Sequence, residues 1–134
     1  MNTQISPRER QLTELDHVRL SRLDAPTESD GLADVLANAD LVPSREIGPD
    51  IVTMYSQVEV RLLRSGQRRK LTLCYPADAE PAAGFVSVFS PMGAALLGLR
   101  VGEIASWQTP GGEPVQAEVQ ALLFQPEASG DYLT

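Results

Sequence analysis

A change of hydrophobic period near Asp50 divides this chain into two kinds of structure. Before it, apolar residues recur at helical spacing. Thr13 can cap a helix whose first turn carries Glu14 and Asp16, acids suited to the positive end of the helix dipole, and Leu15, Val18 and Leu23 follow as its apolar stripe. The spacing predicts a helix over 14–23. Leu32, Val35, Leu36 and Ala39 fall at i, i+3, i+4 and i+7 and predict a second helix over about 30–41, which Pro43 ends. Joined by the turn-prone stretch 24–30, the two make a short antiparallel helical hairpin.

From Asp50 onward the period is two. Val58, Val60 and Leu62 alternate with Gln57, Glu59 and Arg61, and Leu71, Leu73 and Tyr75 alternate with Lys70, Thr72 and Cys74, with Ser65-Gly66 as the turn between them. Gly84 opens a third run, in which Phe85, Ser87 and Phe89 oppose Val86 and Val88. Ser90 then reads as an N-cap with Pro91 at the first helical position, Ala94 to Leu97 as helix formers and Gly98 as the stop. Glu103 to Thr109 and Val115 to Phe124 flank Pro110-Gly111-Gly112 as a last hairpin. The expected fold class is α+β: the helical hairpin of residues 1–49, then an antiparallel sheet with one short helix on one face in residues 50–134. Residues 1–12, 76–83 and the last few are the expected loose segments.

Charge narrows the partners. The 134 residues carry 18 acids against 11 bases, a formal charge of -7, which opposes direct binding to a phosphate backbone and favours a protein partner. Residues 1–50 hold ten of the acids and five of the bases. The longest apolar run, Met92 to Leu99, contains two glycines and is far shorter than the roughly 20 residues of a spanning helix, so no membrane partner is expected. The start of the chain lacks the basic and apolar segments of a secretory signal, and one cysteine permits no internal disulfide; both predict a cytoplasmic protein.

Few residues could carry chemistry. His17 sits beside Asp16 on the first helix, where a helix-packing role is the ordinary reading, and Cys74 lies in a strand among apolar neighbours, as inert core thiols do. One histidine and one cysteine far apart cannot build a zinc site, and Gly111-Gly112 does not open a helix as a phosphate loop would. No cofactor, no metal and no enzymatic activity are therefore expected. Asp24, Glu28 and Asp30 cluster at the hairpin tip; carboxylates there could help hold a hard cation at another protein's active site, although loops and helix starts favour such residues anyway. Arg64, Arg68, Arg69 and Lys70 flank a strand turn, as a patch for an acidic partner or as a solvated hairpin end.

Three stretches carry a family resemblance. Asp50-Ile51-Val52-Thr53-Met54-Tyr55-Ser56, the run from Ser87 through Ser90-Pro91-Met92-Gly93 to Gly102, and Pro110-Gly111-Gly112 with its following strand together resemble the C-terminal domain of Gre-type transcription elongation factors, over residues 50–124. The ending Gln125 to Leu133 and the Leu15-Asp16 helix resemble the branch of that superfamily called regulator of nucleoside diphosphate kinase. The resemblance implies an FKBP-like domain that docks on bacterial RNA polymerase at the rim of its secondary channel. Family contacts at the start of the short helix match Phe89, Ser90 and Pro91, continuing to Met92 and Gly93, with Phe89 standing where Gre factors usually have a polar residue.

Gre factors also carry a long coiled-coil hairpin that brings two acids to the polymerase active site, where they help bind magnesium and stimulate transcript cleavage. A helix of about ten residues rises about 15 Å, whereas roughly 30 residues would span about 45 Å. The resemblance thus implies a factor that occupies the polymerase site and competes with Gre-type factors without stimulating cleavage. Alternatives are a Gre-like cleavage factor and a non-enzymatic module that regulates nucleoside diphosphate kinase indirectly. FKBP-like folds also host prolyl isomerases, but the seven aromatics here (Tyr55, Tyr75, Phe85, Phe89, Trp107, Phe124 and Tyr132) fall mostly at strand positions suited to core packing. Oligomeric state is not readable from the sequence.

Overall fold

The computed structural model describes residues 10–23, 30–109, 111–128 and 130. The chain begins with strand β1 (Gln11–Thr13) and passes directly into helix α1 (Glu14–Ser21), because Thr13 is extended and its hydroxyl accepts from the Asp16 N–H at 2.9 Å. Helix α2 spans Asp30–Asn38 and buries Leu32 and Val35, with Leu36 and Ala39 at the margin, the stripe that the spacing predicts. It stops short of the predicted end. The chain turns at Ala39 into strand β2 (Asp40–Val42), which pairs in parallel with β1. Both three-residue strands fall in stretches expected to be loop or helix, since three residues are too few to display a period of two. Parallel neighbours need a crossover, and the segment carrying α1 and α2 supplies it.

The α1 stripe differs from the expected one. Val18 and Leu23 are exposed, whereas Leu20 and the acid Asp16 are buried. The helix ends at Ser21, so Leu23 lies beyond its last turn.

Strands β3 (Gln57–Leu62), β4 (Arg68–Cys74), β5 (Phe85–Ser87), β6 (Ile104–Gln108) and β7 (Pro114–Phe124) form one sheet in the order β5-β4-β3-β7-β6. The β3–β4 and β6–β7 hairpins follow the sequence reading, with Gly66 and Gly112 at positive φ in their turns. The sheet is not wholly antiparallel, however. Residues 75–84, through 3-10 turns at Pro76–Asp78 and Pro81–Ala83, carry the chain back along β4, so β5 pairs with β4 in parallel, Leu73 opposite Val86. The sheet is mixed and the fold α+β.

Helix α3 (Pro91–Leu96) packs on the inner face of the sheet. Leu12, Leu20, Leu32 and Val35 from the N-terminal elements join Val58, Val60, Leu73, Val119, Leu96 and Leu97 in one apolar cluster. Arg10 reinforces this junction by donating from Nη1 to the carbonyls of Ala94 (3.0 Å) and Leu97 (3.2 Å), near the end of α3, where unpaired carbonyls need donors. Among the described residues, no helix is long and apolar enough to cross a membrane.

Candidate protein-docking face

The start of α3 is fixed by a knot of short polar contacts. The Ser90 hydroxyl donates to the Ser87 carbonyl at 2.7 Å and accepts from the Gly93 N–H at 3.1 Å, while the Ser87 hydroxyl accepts from the Phe89 N–H at 3.0 Å. Ser90 is thus the N-cap that the sequence predicts, with Pro91 at the first helical position. Gly93 has a steric reason to be glycine: a Cβ there would stand 2.1 Å from the Ser87 carbonyl oxygen. The result is a rigid corner in which Phe89 and Met92 are half-buried, Pro91 is exposed and Gly93 is buried.

The five residues singled out from the sequence therefore stand together, with Pro91 and Met92 presented outward. Ser90, Pro91 and Met92 border a cleft of about 390 Å³ whose other walls include Leu71, Val86 and Trp107. Such a rigid, largely apolar edge suits a protein surface better than a small charged substrate.

Asp24 and Glu28 lie outside the described residues, and Asp30 is the first residue of α2. His17 donates from Nε2 to the Leu36 carbonyl at 3.0 Å and so ties α1 to α2, in keeping with a packing role. Cys74 is buried, and that burial pushes its thiol pKa up, which leaves it a poor nucleophile near neutral pH. Among the described residues no group of three or more His, Cys, Asp or Glu is arranged to hold a metal ion.

A second polar centre escaped the sequence reading. The buried Asp16 Oδ2 accepts from the Met54 N–H at 3.2 Å, across 38 positions of sequence. Burial, and secondarily the nearby Glu127, raise its pKa to about 7, against the lowering effects of the Met54 N–H and Arg19. Glu127 is itself buried and accepts from the Thr53 hydroxyl at 2.7 Å; the Thr53 and Ser56 hydroxyls are 2.8 Å apart. Gln125 Nε2 donates to the carbonyls of Gly48 (2.8 Å) and Ile51 (2.7 Å). Residues 48–56 are thereby held by α1 on one side and by the segment after β7 on the other. Within that loop Tyr55 adopts φ 65°, its N–H donating to the Leu73 carbonyl at 2.6 Å and its hydroxyl to Asp78. The sequence signal available was the placement of Asp16 four residues before Leu20, which puts the two on one face of α1.

Comparison with known proteins decides the family. The profile described as "Transcription elongation factor, GreA/GreB, C-term" matches residues 47–123, the loop and strands just described together with the α3 corner. The "Regulator of nucleoside diphosphate kinase" of Escherichia coli K12 is 46% identical over 105 residues, covering 78% of this chain and 77% of that protein. The chain belongs to the GreA/GreB family, in its regulator-of-nucleoside-diphosphate-kinase branch. A GreA/GreB transcription elongation factor structure from Nitrosomonas europaea superposes with a TM-score of 0.69 at 34% identity, covering 87% of this chain and 99% of that one. The likeness to full-size GreA is narrower: the factor from Geobacillus kaustophilus is 35% identical over 82 residues, and the match takes in 61% of this chain but 52% of that GreA. The chain thus matches about half the length of that GreA.

Proposed function

We propose that this chain is a Gre-like transcription regulator that binds bacterial RNA polymerase at the rim of its secondary channel and competes there with Gre-type factors without stimulating transcript cleavage. The observation that carries this reading is the size of the helical unit. From the start of α1 at Glu14 to the end of α2 at Asn38 there are 25 residues. Even if the whole segment were helical and folded in half, each leg would rise about 19 Å, against about 45 Å for a probe of roughly 30 residues per helix. A protein that docks by the shared unit but cannot reach the active site is an occupant, and occupancy by one ligand lowers the free sites for another by mass action.

In this reading Phe89, Ser90, Pro91, Met92 and Gly93 form the contact, with Pro91 and Met92 touching the polymerase and Ser90 and Gly93 holding the corner. Residues 50–134 act as the FKBP-like docking unit and residues 1–49 as an antiparallel helical stub whose tip acids, Asp24, Glu28 and Asp30, meet basic residues near the channel entrance. The name of the E. coli relative favours a second reading, indirect regulation of nucleoside diphosphate kinase, which a transcriptional effect would accommodate.

Binding of the labelled chain to purified core RNA polymerase tests the proposal. Saturable binding that excess GreA displaces is expected, and Pro91→Asp should weaken it at least roughly ten-fold by placing a charge in the contact. No binding at micromolar concentration, or binding that GreA leaves untouched, would refute it.

A further inference from the structure

The cations of this chain are gathered at one hairpin. Residues 60–77 hold Arg61, Arg64, Arg68, Arg69 and Lys70 and no acid, which leaves all 18 acids and the other six of the 11 bases to the rest of the sequence. The β3–β4 register sorts these residues onto two faces. Val60 and Leu71 are buried on the side of the sheet that α3 covers, and Arg69, opposite Val60, shares that side. Arg61 stands opposite Arg68 and Glu59 opposite Lys70, so these four occupy the outer face, away from α3. Arg64 stands in the turn between the two strands.

The facing of Arg61 and Arg68 is not one that stability alone selects. The Leu62 N–H donates to the Gln67 carbonyl at 2.8 Å, which makes 62 and 67 a hydrogen-bonded pair. The neighbouring Arg61 and Arg68 are then a non-hydrogen-bonded pair, the kind in which facing side chains come closest. Like charges directly opposite one another destabilise a sheet. Arg61 is relieved by Glu118, which accepts from its Nη2 at 3.0 Å, and the same Glu118 oxygen is also taken by Gln120 Nε2 at 2.8 Å. Glu59 is the only acid on β3 or β4. Arg64, Arg68 and Lys70 are exposed, and none of them forms an ion pair with a described residue.

We propose that this outer corner of the β3–β4 hairpin is a contact site for an acidic polypeptide segment, with its carboxylates set against Arg64, Arg68 and Lys70. Charge complementarity names the occupant: three cations without ion pairs, gathered in a protein of net charge -7, present a local sign opposite to that of the whole chain. The two guanidinium forks suit carboxylates, which they can hold by paired hydrogen bonds. A nucleic acid fits less well. Residues 57–74 offer no aromatic side chain on which a base could stack, and the acids of the remaining chain repel a long phosphate backbone. The site lies across the sheet from α3, so the inference goes beyond the docking reading and does not depend on it.

Lys70 carries the only side-chain amine of the chain, which makes the site readable by chemistry. The intact chain is titrated against a fluorescein-labelled 12-residue peptide of alternating Glu and Ser, followed by anisotropy. The same peptide carrying Lys in place of Glu, and labelled oligouridylate, serve as comparisons. Saturable binding of the acidic peptide is expected, with weaker or no binding of the other two. Arg64→Gln/Arg68→Gln, at two exposed positions that leave Lys70 in place, should weaken the binding at least roughly five-fold at 0.1 M salt, and the difference should shrink as salt rises. Carbodiimide treatment of the wild-type mixture should couple a peptide carboxylate to the Lys70 amine, located by mass spectrometry.

No saturable binding of the Glu peptide, equal or tighter binding of the Lys peptide or of oligouridylate, coupling only at the chain's amino terminus, or a double variant that binds like the wild type would overturn the inference. Each of these results would leave the docking reading of the α3 corner untouched, because that reading is tested on the polymerase itself.

Discussion

Helices α1 and α3 both begin at a hydroxyl cap and both pack against residues near the sheet, yet their junctions are made of different materials. At α3 the closeness is steric: Gly93 lets the helix backbone lie against the Ser87 carbonyl, and Ser90 closes the knot with two hydrogen bonds. At α1 the closeness is polar: a buried carboxylate, Asp16, takes the Met54 N–H and stands near a second buried carboxylate, Glu127. The first junction has no group that titrates near neutrality, and the second does. The α3 corner should therefore keep its shape across the physiological pH range, while the attachment of the helical unit weakens as Asp16 ionises.

The sharpest way to break this contrast is at α3. Gly93→Ala drives a methyl into the Ser87 carbonyl and should cost roughly 3–4 kcal/mol, read as a lowered midpoint in denaturant unfolding, with little dependence on pH. The α1 junction should respond to pH instead. In the unfolded chain Asp16 titrates near 3.9, and in the folded chain at about 7, so between these values the folded state holds a proton that the unfolded state lacks. This contribution makes stability fall as pH rises from about 4 to 7 and level off above. Asp16→Asn keeps an oxygen for the Met54 N–H and removes the ionisation. The variant should gain on the order of 2 kcal/mol over the wild type at pH 8 and little at pH 4, as measured by thermal melts across that range. A wild-type advantage at pH 8 would dismiss the account of this junction.

Smaller effects sharpen it further. Ser90→Ala removes the cap from a six-residue helix and should cost about 1 kcal/mol, and it should weaken polymerase binding as well if the corner is the contact. Arg61→Ala severs the Glu118 pair on the outer sheet face, where both side chains are about one-third exposed, and should change unfolding stability by about 0.5 kcal/mol or less while leaving docking unaffected.

The two junctions also differ in how far the sequence discloses them. Ser90-Pro91 is a local signal, complete within four residues, and the structure places the cap and the first helical residue as expected. The hairpins around Gly66 and Gly112 and the stripe of α2 are local in the same way. The α1 face depends on a partner 38 positions away, so a period count chose Val18 and Leu23, both exposed, over the buried Asp16. Parallel pairing of β5 and of β1 with β2 rests on where crossovers return the chain, which alternation does not encode. At the candidate site, the cap and first turn of α3 are legible because the corner is contiguous. The basic run 64–70 was legible as charge but not as two faces, since only the register with β3 separates Arg69 from Arg68 and Lys70.

On the proposed reading the chain occupies the polymerase without reaching its active site. The most direct test of that reading is transcript cleavage in stalled elongation complexes, with this protein titrated alone and then against a fixed amount of GreA. The account predicts no stimulated cleavage by the chain alone and a dose-dependent loss of GreA-stimulated cleavage as the chain is added. Cleavage stimulated by the chain itself, or GreA activity that persists at saturating chain, would contradict it.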